Sequence, residues 1–320
     1  MDLHLLLDNL TNPALLFFFL GILAVQLKSD LAIPPNSSKF ISLYLLLSIG
    51  FKGGQELSHS DFNAEIGWSL VLGILLALIV PLYTYFILRI KFTVANAGAI
   101  AASYGSVSAV TFVTAISFLE MEGIEFGGHM VAVMALMEAP SIIVGVLLLS
   151  IYDKENKDKV SMPKVVKHAL TNGSVLLILG SLVVGFMASE QQAEGIKPFT
   201  TDLFKGFLAV FLLDMGITSG KKLSSFLKKG WFALVFAIVI PIINGVAVAF
   251  TSSAFTESVG NRLLFAILAA SASYIAVPAA MRLAAPKANP SLYLPMALAI
   301  TFPFNITLGM PLYLCVIQSC

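Results

Sequence analysis

Long apolar runs are the feature of this chain that most restricts its fold. They recur along the whole length, and many reach the roughly 17–25 residues that a helix needs to cross a bilayer. Only 12% of the 320 residues are charged, whereas soluble proteins carry about 25%. Because lipid offers the backbone no hydrogen-bond partners, such a chain must satisfy its amides within helices. The sequence therefore predicts an all-α, polytopic membrane protein.

Ten of these runs are predicted to be transmembrane spans. Their approximate bounds are 12–27, 38–55, 66–90, 97–119, 127–152, 172–189, 201–220, 230–252, 262–284 and 291–317. Glycine or proline interrupts several of them. Such residues are tolerated in spans where neighbouring groups satisfy the freed backbone, so we expect some of these helices to be broken.

Lysine and arginine divide the loops into two sets. Fifteen of the nineteen lie in alternate loops that begin with 28–39, and the remaining four lie on the opposite side with several glutamates. Cytoplasmic loops carry the excess of positive charge in membrane proteins. This distribution predicts that both termini lie outside and that the Lys-rich loop 153–171 is cytoplasmic.

The two halves of the chain resemble each other. The pattern Leu-Leu-x-x-Gly-x-x-x-Gly-x-x-Leu occurs at 46–57 and again at 212–223, and each of the two tryptophans follows a glycine. Further matches, all 160–170 positions apart, pair Trp68 with Trp231, Pro81 with Pro241 and Pro140 with Pro303. The glycines of the shared pattern are interpreted as helix-packing positions. Since no single match is decisive, the shared order is what indicates an internal repeat.

Each repeat has five helices. Because five is an odd number, the second repeat must enter the membrane from the opposite side. We therefore predict a first five-helix repeat over 1–152, a cytoplasmic linker over 153–171 and an inverted second repeat over 172–320. Proteins built in this way bind substrate and coupling ions near the midplane, on broken helices at the interface between the repeats.

Two stretches rich in small and hydroxyl residues, 102–111 and 270–278, interrupt otherwise apolar spans. With Ser103 aligned to Ser273, both contain Ala-Ser-Tyr-x-x-Val. Unwinding at Gly105 or before Pro278 would free carbonyls for a cation and N–H groups for an anion. The alternative is that the small residues only allow close helix packing. The candidate substrate-binding residues are Ser103, Gly105, Ser106, Ser108, Ser271, Ser273 and Tyr274, although Tyr274 could merely close or pack the site.

Two acids, Glu138 and Asp214, lie well inside predicted spans. A charge at the bilayer centre is costly, so such residues usually face a cavity and have a partner. Glu138 lies just before Pro140, where a helix break would free carbonyls beside it. The candidate sodium ligands are Glu138, its repeat counterpart Thr301, and also Thr111 and Asn305. Asp214 is either a coupling residue or a hydrogen-bonded packing residue.

Enzyme and motor motifs are missing from the sequence. It contains no HExxH, no phosphate-binding glycine loop and no G-x-S-x-G. We therefore predict a protein that is not an enzyme, uses no organic cofactor, and transports its substrate passively or with an ion gradient. The alternatives left open are a sodium- or proton-coupled symporter for a small organic acid and a passive anion channel.

The chain resembles the sodium-dependent bicarbonate transporters known from cyanobacteria. The resemblance rests on Tyr-Gly-Ser-Val-Ser-Ala-Val-Thr at 104–111, Met-Glu-Ala-Pro at 137–140, Ala-Ser-Ala-Ser at 270–273, Ala-Asn-Pro-Ser at 288–291 and Leu-Tyr-Leu at 312–314. It implies sodium-coupled uptake of bicarbonate or a similar anion by a core domain that slides against a gate domain. It also implies a homotrimer in the bacterial cytoplasmic (inner) membrane.

Some positions depart from that family. Tyr274 stands where the cyanobacterial proteins carry an aspartate, while Glu138 keeps the negative charge of their Met-Asp-x-Pro. Phe302 and Phe304 crowd a region that is more open in the cyanobacterial sequences. The resemblance also suggests a PII-like regulatory partner, but the short loop between the repeats argues against one.

Overall fold

The computed structural model describes residues 7, 9–60, 63–152, 163, 166–167, 171–226 and 230–319. These residues form helices and connecting turns, with no β-strand among them. Most of the predicted linker, 153–171, lies outside the described residues.

We number the helices in chain order. They are α1 (Pro13–Gln26), α2 (Pro35–Ser58), α3 (Ala64–Leu88), α4 (Val94–Gly105), α5 (Ala109–Met121), α6 (His129–Tyr152), α7 (Gly173–Met187), α8 (Glu190–Lys197), α9 (Phe204–Phe226), α10 (Trp231–Thr251), α11 (Val259–Ala270), α12 (Ala276–Ala284) and α13 (Pro290–Gln318). Helix α13 contains two π-helical stretches, Met296–Thr301 and Asn305–Gly309.

Six helical stretches of the described chain are long and apolar enough to cross a membrane. They are α3, α4 with α5, α6, α8 with α9, α10 with the turn that follows it, and α13. Three shorter apolar helices, α1, α7 and α11, accompany them. The prediction of a helical, multi-pass membrane protein is therefore confirmed. All ten predicted spans fall on helix, and those at 97–119 and 262–284 are each split into two helices.

The two split spans are built alike. Helices α4 and α11 are each twelve residues long and begin at Val94 and Val259, which are 165 positions apart. A hydroxyl caps each of them, because Thr93 accepts from the amide of Asn96 and Ser258 accepts from that of Asn261. This correspondence pairs Ser106 with Ser271, five positions away from the sequence alignment of Ser103 with Ser273. The Ala-Ser-Tyr sequence that the two stretches share therefore does not mark structurally equivalent positions.

The helices pack in two groups. The first helix group comprises α1, α2, α7 and α9, in which α1 packs along α9 and α2 packs along α7. The second helix group comprises α3–α6 and α10–α13, with α3 against α6 and α10 against α11. Contacts of α2 and α7 with α6, and of α9 with α13, join the groups.

Glycine makes the two crossings of the first helix group possible. A Cβ on Gly216 would lie 2.0 Å from the carbonyl oxygen of Phe18, and one on Gly185 would lie 2.1 Å from that of Phe51. Backbones that approach this closely are typical of small-residue contacts between membrane helices. The packing interpretation of Gly216 in the repeated pattern is therefore confirmed.

Candidate functional site

The two helix breaks meet inside the second helix group. The amide of Ser273 donates to the carbonyl oxygen of Ser103 at 2.8 Å, and the amide of Ser108 donates to the Ser271 hydroxyl at 3.1 Å. The breaks cover 106–108 and 271–275. The predicted interruptions, at Gly105 and before Pro278, are thus present and in contact.

Local packing explains why the last residue of α4, Gly105, is a glycine. A Cβ at this position would lie 2.4 Å from the Pro81 ring and 2.5 Å from the Ser141 hydroxyl. That hydroxyl in turn donates to the carbonyl oxygen of Ala102 at 2.8 Å, which satisfies one group at the end of the helix. The chain therefore passes tightly between α3 and α6 before α5 begins.

Serine hydroxyls accept hydrogen bonds from backbone amides at the starts of the two helices that follow the breaks. Ser108 accepts from the amide of Thr111 at 3.2 Å, and Ser273 accepts from the amide of Val277 at 3.4 Å. The amino ends of helices α5 and α12 therefore lie beside the breaks. Such ends carry partial positive charge and unpaired N–H groups, which favour an anion.

A small cavity lies between the breaks and the first helix group. Its volume is about 30 Å³. Since one water needs roughly 10–15 Å³ on this measure, the cavity has room for a small ion or a few waters. Its polar lining comprises Ser42, Ser108, Glu138, Ser174, Ser273 and Tyr274. We call it the inner cavity.

Glu138 is the acid of the inner cavity. Its side chain is only 7% exposed. Within the described part of the chain, no cation and no hydrogen-bond donor acts on this carboxylate. Burying an unpaired charge is strongly unfavourable. The geometry therefore calls for a cation or a proton on Glu138.

Three other predicted ligands have buried hydroxyls without partners. Ser103, Ser106 and Thr111 are each at most 1% exposed, and their hydroxyl oxygens make no hydrogen bond to the residues described. Most buried polar atoms in proteins are paired, so such exceptions need an explanation. Their clustering at the break after α4 makes them available to an ion, although they do not line the inner cavity.

Thr301 and Asn305, by contrast, bond to neighbouring protein groups. The Thr301 hydroxyl lies 2.7 Å from the Tyr104 hydroxyl and donates to the carbonyl oxygen of Ala237 at 2.7 Å. The Asn305 amide donates to the carbonyl oxygen of Ala270 at 2.8 Å. The structure places both residues within the second helix group, away from the inner cavity.

Asp214 lies in a second, larger cavity of about 430 Å³, which we call the vestibule. The hydroxyl of Ser38 donates to the Asp214 carboxylate. Lys39 and Lys221 also line the vestibule, and Tyr274 lines both the vestibule and the inner cavity. Asp214 and Glu138 are therefore in neighbouring cavities rather than in one site.

A third cavity of about 390 Å³ completes a series along α2. Ser38 lines the vestibule, Ser42 the inner cavity, and Lys52 the third cavity. Lys52 lies fourteen positions after Ser38, which corresponds to about 21 Å of helix, a large part of the roughly 30 Å hydrocarbon core. The three cavities therefore lie at successive levels along α2, over a large part of that thickness.

Sequence reasoning missed Ser42 and Ser174, which bring the first helix group into the inner cavity. The spacing of Ser38 and Ser42 was an available signal, because residues four apart share one face of a helix. Nothing comparable marks Ser174, which follows the cap Asn172 at the start of α7. Its position depends on how α7 packs against α2 and α6.

Comparisons with known proteins give a family match. Residues 13–318 match the protein family described as the Na+-dependent bicarbonate transporter superfamily. A comparison with curated proteins gives no match. The family match covers nearly the whole chain, including both breaks and all three cavities.

Proposed function

The chain belongs to the Na+-dependent bicarbonate transporter superfamily, and on that basis we propose that it is a sodium-coupled symporter that imports bicarbonate or a similar small anion. It is a transporter and not an enzyme. The observation that carries the proposal is the unpaired Glu138 carboxylate, which faces a cavity between two helix amino ends.

The inner cavity offers complementary groups for a cation and an anion. Sodium would bind the Glu138 carboxylate. Thr111 follows the lining residue Val110 and has a free hydroxyl, so it is the second ligand that we favour although it does not itself line the cavity. The anion would bind the amino ends and hydroxyls of the breaks, which include Ser108, Ser273 and Tyr274. Ser103, Gly105, Ser106 and Ser271 would shape the breaks around it. Binding the two ions together lowers the cost of removing each from water.

The packing supports an elevator-like mechanism. The second helix group holds both breaks and Glu138, so it would act as the moving core, and the first helix group would act as the gate. Only a few helix contacts join the two groups, whereas packing within each is extensive. The matched α4 and α11 support two inverted five-helix repeats. The assembly would be the homotrimer implied by the family resemblance.

The charges support an orientation for the three cavities. Lys39 and Lys221 line the vestibule, and both belong to the loop set that carries most of the positive charge. By the positive-inside rule the vestibule would open to the cytoplasm. The third cavity, lined by Glu56, Glu190 and Glu194, would then face outward in a bacterial cytoplasmic membrane.

The test is uptake of radiolabelled bicarbonate into proteoliposomes at alkaline pH, where little membrane-permeant CO2 forms. We expect accumulation under an inward sodium gradient and none under a matched potassium gradient. Equal uptake under both gradients would contradict sodium coupling. Uptake that follows a proton gradient, or that never exceeds equilibrium, would instead favour a proton-coupled carrier or a channel.

A further inference from the structure

Tyr274 stands between the inner cavity and the vestibule. It lines both cavities, and only Ser42 and Ile275 share that position with it. Its side chain is 9% exposed although it borders a cavity of about 430 Å³. Tyr274 is therefore part of the boundary that the inner cavity and the vestibule share, where an ion would move from one to the other.

The backbone that carries Tyr274 is held on both sides. The preceding residue, Ser273, donates its amide to the Ser103 carbonyl at 2.8 Å, and its hydroxyl accepts from Val277 at 3.4 Å. The ring packs edge-on against Phe302, with centroids 6.0 Å apart. The buried hydroxyl makes no hydrogen bond to the residues described, so the backbone bonds and the ring packing are what hold this side chain. A side chain held in this way is a wall of the binding site rather than a mobile cover.

We propose that Tyr274 is a specificity-determining residue that limits the size of the anion the inner cavity accepts. The inference rests on the proposed anion transport. With the ring in place the inner cavity measures only about 30 Å³, which favours small planar anions such as bicarbonate or formate over larger carboxylates. Without the ring, the inner cavity and the vestibule would join into one space that also admits larger carboxylates.

Competition against bicarbonate uptake tests this size limit. In the unmodified protein, formate should inhibit initial uptake and lactate should not. Tyr274→Ala should increase inhibition by lactate about tenfold or more, a range that pocket size commonly controls. Tyr274→Phe keeps the ring and should keep the original order of inhibitors. The same order in Tyr274→Ala, or strong inhibition of the unmodified protein by lactate, would overturn the proposal.

The reaction rates of introduced cysteines test whether Tyr274 separates the inner cavity from the vestibule, and this test does not depend on transport. Ala135 lines only the inner cavity and Thr218 only the vestibule. In a protein with Cys315→Ser and Cys320→Ser, the Thr218→Cys thiol should react quickly with a small charged thiol reagent whether or not Tyr274 is changed. The Ala135→Cys thiol should react slowly, and about tenfold faster once Tyr274→Ala is added. Tyr274→Phe should leave that slow rate unchanged.

The two experiments separate the proposals. If the Ala135→Cys thiol reacts equally fast in the presence of Tyr274 and in the Tyr274→Ala variant, Tyr274 does not separate the two cavities. This conclusion would hold even in a protein that transports bicarbonate. A protein that accumulates no bicarbonate, yet shows the expected change in reactivity, would refute the transport proposal and leave the wall in place. A Tyr274→Ala variant that is folded but does not transport is still decided by the thiol measurement.

Discussion

The amide of Ser273 donates to the backbone carbonyl oxygen of Ser103 at 2.8 Å, which joins the two halves of the chain at their helix breaks. A second bond, from the Ser108 amide to the Ser271 hydroxyl at 3.1 Å, lies beside it. Backbone groups freed at a helix break must find partners within a membrane protein. Here each break supplies the partner of the other, so the site requires both repeats to be folded.

Removing the Ser271 hydroxyl should destabilise this junction. Ser271→Ala leaves the buried Ser108 amide without its acceptor, and a loss of this kind costs about 1–3 kcal/mol. We expect a lower thermal unfolding midpoint in detergent. Ser253→Ala is the matched control, because that hydroxyl is exposed and donates only to the Phe250 carbonyl at 2.9 Å. An unchanged midpoint in Ser271→Ala would show that the bond contributes little.

Two glycines of α7 provide a comparison within one helix. A Cβ at Gly185 would meet the Phe51 carbonyl oxygen at 2.1 Å, whereas one at Gly180 would meet nothing within 4 Å. Overpacking of this kind typically costs about 1–3 kcal/mol. Gly185→Ala should therefore lower the unfolding midpoint, and Gly180→Ala should leave it unchanged or raise it. Equal effects of the two substitutions would argue against the close crossing of α2 and α7.

The course of the chain could largely be predicted from its sequence. The lengths of the apolar runs predicted ten spans, all of which fall on helix, and the stretches rich in small and hydroxyl residues indicated both breaks. The repeat was recognisable, but the string shared by Ser103 and Ser273 gave an alignment five positions away from the structural one. Short strings match by chance, whereas helix length and capping fix where a helix begins and ends.

The lining of the site could not be predicted in the same way. The sequence made Glu138 the foremost candidate for a cation ligand and its counterpart Thr301 a further one. Of the two, Glu138 lines the inner cavity, whereas Tyr104 and the Ala237 carbonyl bond to Thr301. The spacing of Ser38 and Ser42 places both on one face of α2, but which cavities that face lines depends on how α2 is rotated against the breaks. Such facts come from packing between helices, which the pattern of one helix does not encode.

Asp214 is expected to contribute to packing rather than to coupling. It accepts a hydrogen bond from Ser38 in the vestibule and does not line the inner cavity. Asp214→Asn keeps an acceptor for Ser38, so sodium-driven bicarbonate uptake should persist. Asp214→Leu removes the acceptor and should lower stability by about 1 kcal/mol. Loss of ion-driven uptake in a folded Asp214→Asn protein would instead make this carboxylate a coupling residue.

Neutralising Glu138 should weaken sodium binding more than any other single change in the inner cavity. An interaction with a charged group contributes about 1.5–3 kcal/mol, which corresponds to a roughly ten- to hundredfold loss of affinity. Glu138→Gln should raise the half-saturating sodium concentration for bicarbonate uptake by that factor, and Glu138→Asp should recover part of the affinity. The measurement is initial uptake across a series of sodium concentrations at constant ionic strength.

The control for Glu138 is another acid of the same chain. Glu120 pairs with Lys52 at 2.8 Å and lies outside the inner cavity. Partly exposed ion pairs contribute only about 0–1 kcal/mol, so Glu120→Gln should leave the sodium dependence close to that of the unmodified protein. If Glu138→Gln and Glu120→Gln show the same sodium dependence, the Glu138 carboxylate does not bind the coupling ion. In that event the unpaired hydroxyls of Ser106 and Thr111 become the alternative cation ligands, because they are buried at the break without a protein partner.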